Sequence, residues 1–152
     1  MNKLILLLLL LISLVPIGCN ETEEVVDAQS KVYAFLNDMN PEFHRTMLKM
    51  SKEIALADKK IQQLYELKGM YPNQREMINQ SLKQWQGLRK DLNSTWNRLY
   101  EKVEGAYVAY KIDEIQGRKK FSAISQKLLN EANAVLANAE TTKSLIEEQL
   151  NE

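Results

Sequence analysis

The chain has 152 residues, with 20 Lys+Arg against 20 Asp+Glu. That balance argues against nucleic acid as a partner, because neutralising phosphates needs a basic excess, and against a polybasic membrane-binding domain. Five glycines and three prolines leave few turns, which points to a few long helices in one domain.

Residues 4–15 are an apolar run, almost all leucine, behind Met1-Asn2-Lys3. The run is too short to cross ~30 Å of hydrocarbon, which takes ~20 apolar residues. It has the length of a signal-peptide core. Pro16 ends it, Gly18 is the small residue a signal peptidase needs, and Cys19 is the only cysteine in the chain.

On Gly18 and Cys19 the segment resembles a bacterial lipoprotein signal peptide. Pro16 stands where that class has leucine, three residues before the cysteine. The resemblance covers residues 1–19 only. It implies cleavage between Gly18 and Cys19, acylation of Cys19 with palmitate-type chains, and a place in the cell envelope. Asn20, where an aspartate would favour the inner membrane, implies the periplasmic face of the outer membrane if the host has two membranes. An ordinary cleaved signal and an uncleaved anchor are the other readings, and both also export or tether the chain. A lone cysteine forms no internal disulfide, and an oxidising compartment makes an unmodified thiol a liability. The chain then divides into a signal peptide (1–18), a lipidated cysteine with a short leader (19–24) and a helical domain (25–152).

Thr22 is the expected N-cap of the first helix, with Glu23 and Glu24 at its positive end. Val25, Ala28, Val32, Phe35 or Leu36, and Met39 follow at helical spacing. Asn40 reads as a second N-cap and Pro41 as a first helical residue. Phe43, Met47, Met50, Ile54, Ala57, Ile61 and Leu64 then alternate steps of four and three, a heptad seam. Gly69 is expected to end this arm. Asn73 is expected to cap the next helix, with Glu76 completing a capping box.

From residue 74 to 116 there is no proline, and the seam runs Ile78, Leu82, Trp85, Leu88, Leu92, Trp96, Leu99, Val103, Ala106, Tyr110. Gly87 and Gly105 lie inside it. Gly117 is the next break signal. Phe121, Ile124, Leu128, Ala132, Val135, Ala139, Thr142, Ile146 and Leu150 mark the last helix. The expected fold is all-α: an antiparallel bundle of three long helices with coiled-coil-like packing. The first arm is kinked or broken at Asn40-Pro41, and a full break makes four helices.

Candidate sites are few. His44 is the only histidine, which excludes di-iron and multi-histidine zinc sites. His44, Met47 and Met50 could suit copper(I) or haem iron, but the methionines fall on the seam, where they are ordinary core filling. No cofactor is expected. Tyr100 and Tyr107 lie on the flank of the long helix's seam and are the candidate partner-binding residues. Lys111, Arg118, Lys119 and Lys120 form one basic cluster. It could meet lipid phosphates, or it could complement a helix C-terminus; the second reading is the simpler. No phosphate loop, nucleophile elbow or S-x-x-K motif occurs. The sequence therefore reads as a non-enzymatic, lipid-anchored envelope protein that works by helix-face contact with another envelope protein, as an accessory subunit or a periplasmic inhibitor. A metal, haem or small-ligand carrier with its site near His44, Met47 and Met50 is the alternative. Heptad seams also leave a homo-oligomer open.

Overall fold

The computed structural model describes the backbone of residues 19–151 and the side chains of residues 27–148. The expected signal peptide, residues 1–18, lies outside these, and so does the Cys19 side chain expected to carry the lipid. Four α-helices follow one another: α1 (Cys19–Met39), α2 (Pro41–Met70), α3 (Arg75–Ile112) and α4 (Glu114–Asn151), with a 3-10 turn at Pro72–Gln74 between α2 and α3. Two compact units divide at Lys31 and Val32. The first contributes the exposed stretch of α1, where Lys31 pairs with Asp27 one turn earlier. Ala28, expected on a seam, is exposed there. Thr22 lies inside α1 and does not cap it, because the glutamates around it continue the helix.

The second unit is an antiparallel helical bundle. Gln86 of α3 donates to the Tyr65 hydroxyl of α2 at 3.0 Å, and Arg89 pairs with Asp58 at 2.8 Å. Ascending residues of α3 thus meet descending residues of α2. Arg98 pairs with Glu131 of α4, so α3 and α4 are antiparallel as well. The seams fill the interior. Phe43, Met47 and Met50 of α2, Leu92, Leu99 and Val103 of α3, and Phe121, Ala132 and Ile146 of α4 are all fully buried. Leu129 and Leu136 of α4 join them although they lie off the expected seam. Being flanked by two helices, α4 needs a wider apolar stripe than one seam supplies.

The chain breaks fully at Asn40. Along a straight helix Tyr33 and His44 would stand ~16 Å apart, yet their ring centroids are 5.7 Å apart. The reversal uses one residue. Asn40 is extended (φ −154°, ψ 87°) and its side chain accepts from the Phe43 amide at 2.9 Å. Its own amide donates to Leu36, and its carbonyl accepts from His44. Asp113 repeats this pattern between α3 and α4. It is extended (φ −144°, ψ 107°), its carboxylate accepts from the Gln116 amide at 3.0 Å, its amide donates to Ala109, and its carbonyl accepts from Gly117.

Three expected helix ends fall elsewhere. α3 stops at Ile112, short of residue 116, because Asp113 caps the next helix. The α2 helix runs through Gly69 to Met70 and stops at Tyr71, which Pro72 holds out of the α region. No described glycine has positive φ. Asn73 sits inside the 3-10 turn that Pro72 begins, and Gln74 precedes α3 with no side-chain cap.

Gly117 has a structural role other than ending a helix. It is buried in α4, where a Cβ would lie 2.2 Å from the Tyr110 Cα. The single-residue turn leaves no slack, so α3 and α4 touch backbone to backbone. Gly87 and Gly105 face open space. A mostly buried ion pair ties the far half of the unit: Lys143 donates to Glu53 at 2.8 Å and also pairs with Glu140 at 3.1 Å. Burial pushes the Lys143 ammonium down, but the bonds to Glu53 and Glu140 outweigh it and hold its pKa above the usual lysine value.

Gly117→Ala is expected to destabilise the protein by about 3 kcal/mol, through overpacking against backbone. Gly87→Ala and Gly105→Ala are each expected to stabilise it by about 0.5–1 kcal/mol, as exposed helical sites with room for a methyl group. Urea titrations followed by circular dichroism read both signs. In the same assay Lys143→Met should cost about 2 kcal/mol by stranding Glu53, and Glu53→Leu about 1 kcal/mol, since Lys143 keeps Glu140. The double variant should recover most of that loss; a double variant as unstable as the sum would contradict the pairing.

Candidate functional site

Where the reversals at Asn40 and Asp113 bring four helix ends together, the aromatics gather. Phe35 of α1 touches Tyr107, Tyr110 and Phe121 at centroid distances of 5.6, 5.1 and 5.4 Å. Phe43 stacks on Phe121 at 6.5 Å. On another side Tyr33 meets His44 edge-on and Tyr100 at 6.2 Å, and Tyr100 stacks on Trp96 at 5.2 Å with 7° between the planes. The Trp96 indole N–H is buried with no hydrogen-bond partner, a cost of about 1–3 kcal/mol that the stacked face helps to offset.

Tyr100 and Tyr107 are half-buried, packed against the core. Trp85 is buried in the core, whereas Trp96 and Tyr110 are only partly covered. The structure places His44 half-buried against Tyr33, while Met47 and Met50 are wholly enclosed. Among the described residues no three His, Cys, Asp or Glu side chains converge on a common point.

The basic cluster separates into two kinds of residue. Arg118 is engaged: its guanidinium sits 5.4 Å over the Tyr110 ring, bonds Glu114 at 3.1 Å and Asp38 at 3.2 Å, and reaches the Met39 sulfur. It fastens the end of α1 to the start of α4. Lys111, Lys119 and Lys120 are exposed. Only Lys111 lies at a helix C-terminus. Arg118, Lys119 and Lys120 belong to the second turn of α4, near its positive end, so the expectation that the cluster complements a helix C-terminus is corrected for three of its four members. The reason is the position of the break, four residues before Gly117.

Two open grooves run along the bundle. One, of about 540 Å³ between α2 and α3, is lined by Asp58, Ile61, Gln86, Arg89, Asn93 and Asn97 among others. The other, of about 370 Å³ between α2 and α4, is lined by Glu42, Arg45, Lys49, Asn133, Leu136 and Glu140 among others. Both are shallow and mixed in charge. Large apolar side chains reach solvent at the two ends of the unit: Leu67, Met70, Tyr71 and Met77 around the α2–α3 turn, and Val108, Ile112 and Ile115 around the α3–α4 turn. Nothing in the heptad pattern flagged the second group. The signal that would have found it is Asp113 with Gln116 three residues on, a helix start that strands Ile112 and Ile115 at a turn.

Burial raises the pKa of the Tyr33 phenol, opposed by its hydrogen bond with Ser51; burial, then the nearby Glu104 and Tyr33, raises that of Tyr100. A pKa raised by folding adds stability that is whole below the unfolded value of ~10 and is lost as pH climbs through the folded value. Tyr33→Phe/Tyr100→Phe, which cannot ionise there, should therefore unfold at a higher pH than the parent chain in an alkaline titration followed by circular dichroism. Coincident alkaline midpoints would show that these phenols do not set the transition.

No protein-family model matches the chain, and no curated protein and no solved structure matches it either.

Proposed function

We propose that the chain is a lipid-anchored protein of the bacterial cell envelope, without enzymatic activity, that acts by helix-face contact with another envelope protein as an accessory subunit or a periplasmic inhibitor. The observation that carries this reading is the apolar run of residues 4–15 closing on Gly18-Cys19. No helix among the described residues is long and apolar enough to cross a membrane, so the reading places the membrane attachment at Cys19. The outward faces support contact rather than catalysis. The long seams are consumed inside, the grooves are open, and single apolar side chains such as Leu48 and Leu56 of α2 and Leu145 of α4 stand among charged neighbours. Tyr100 and Tyr107, each half-buried against the core, are suited to anchoring a partner helix.

In a bacterial host, Cys19→Ala is expected to leave the precursor unprocessed and to abolish incorporation of labelled palmitate; globomycin should block processing of the parent chain. Unchanged mobility and unchanged membrane fractionation in both experiments would overturn the lipid anchor.

A further inference from the structure

The α3–α4 turn is built unlike the rest of the surface. Ile112 ends α3 and Ile115 is the second residue of α4, and they are the most exposed large apolar side chains described, at 84% and 77%. Val108 lies one turn before Ile112 on the same face of α3. The backbone that carries them is rigid, pinned by the Asp113 cap and the backbone contact at Gly117. These side chains are thus held out in water by a turn that could as well carry polar ones.

Basic residues outnumber acidic ones around them. Lys111 shares the α3 face with Val108 and Ile112 at helical spacing, and Lys119 follows Ile115 by one turn on α4, with Lys120 beside it. Among the described residues none of these three lysines has a carboxylate within ion-pair distance. Of the two acids at the turn, Glu114 is paired with Arg118 and Asp113 accepts from the Gln116 amide, which leaves the three lysines in excess. The opposite end, at the α2–α3 turn, also exposes apolar side chains, but there the two basic residues Lys68 and Arg75 are equalled in number by the acids Glu66 and Glu76. Net neutrality of the chain hides this local excess.

We infer that the α3–α4 turn is a docking tip for an anionic lipid surface: Ile112, Ile115 and Val108 enter the headgroup boundary and Lys111, Lys119 and Lys120 meet the lipid phosphates. An apolar wedge ringed by unpaired lysines suits a bilayer with negative headgroups, where burial and surface potential act together. It suits a zwitterionic bilayer less, because choline offsets each phosphate there and no negative surface potential draws the lysines in. The inference rests on the proposed envelope location only in setting the protein beside a membrane. The test below uses protein without the Cys19 thiol, so failure of the lipid anchor and failure of the tip read out separately.

The full chain with Cys19→Ser and Ile112→Cys is labelled at residue 112 with a polarity-sensitive fluorophore, and a matched protein is labelled through Ser94→Cys on the exposed middle of α3. Each is mixed with phosphatidylcholine vesicles and with vesicles also containing phosphatidylglycerol. The expected result is a blue shift and quenching by lipid-borne quenchers for the label at 112 on anionic vesicles alone, with the label at 94 remaining in water. Replacing Lys111, Lys119 and Lys120 with glutamate should weaken that shift at least tenfold in lipid concentration, since each lysine near an anionic surface is worth about fivefold. These sites are exposed, so an unchanged circular dichroism spectrum confirms that the fold is kept. A label at 112 that stays in water on anionic vesicles, or moves equally on neutral ones, overturns the proposal. So does a label that becomes buried without vesicles as the sedimenting mass doubles, which would make the tip a contact with a second copy.

Discussion

Reversing a chain between two helices through a single residue is demanding. Each helix end leaves backbone groups without partners, and one residue must satisfy them while turning the chain. Asn40 and Asp113 do so with the same three bonds: side-chain oxygen to the amide three residues on, amide to the carbonyl four residues back, and carbonyl to the amide four residues on. Only a short side chain with an acceptor oxygen can supply the first of these, which is why asparagine and aspartate hold the two positions. The consequences spread outward. At Asp113 the helices start so close that only glycine fits at 117. At Asn40 the turn folds the end of α1 back until Tyr33 reaches His44.

The aromatic cluster follows from this closure. Long helices leaving a tight turn diverge little at first, so large flat rings fill the wedge between them. Phe35, Phe43 and Phe121 lie inside it, with Tyr107 and Tyr110 at its margin. Arg118 closes the margin, using the Tyr110 face and two carboxylates from different helices. Farther along the bundle the same task falls to the Lys143–Glu53 pair, mostly shielded from water. A polar clamp at each region fixes how the seams meet, a matter that apolar contacts alone leave loosely specified.

The construction also bears on what the outside can do. Because the described seams of α2, α3 and α4 are largely covered by their neighbours, partner contact falls to half-buried aromatics, isolated apolar side chains and the two turns. At the α3–α4 turn rigidity has a further effect. A mobile loop could tuck Ile112 and Ile115 away, whereas a capped one-residue turn holds both in solvent beside unpaired lysines. Attachment through the N-terminus and contact through this turn would be independent means of meeting a membrane, one covalent and one dependent on surface charge.

By itself the sequence determined the all-helical class, the break signal at Asn40-Pro41 and most of the buried positions, because heptad spacing is a local property of a helix and needs no partner to be read. It also carried the neutrality of the whole. Tertiary structure alone decided where α3 ends. Apolar phase runs on past Ile112 and Gly117 looks like the stop, yet the break lies at Asp113, and Gly117 is where a neighbouring backbone arrives. It decided the enlarged stripe of α4, with Leu129 and Leu136, since stripe width depends on how many helices surround it. It moved Arg118, Lys119 and Lys120 from the end of one helix to the start of the next. Burial, pairing and the exposure of Ile112 and Ile115 are relations between distant residues, and no pattern within one helix contains them.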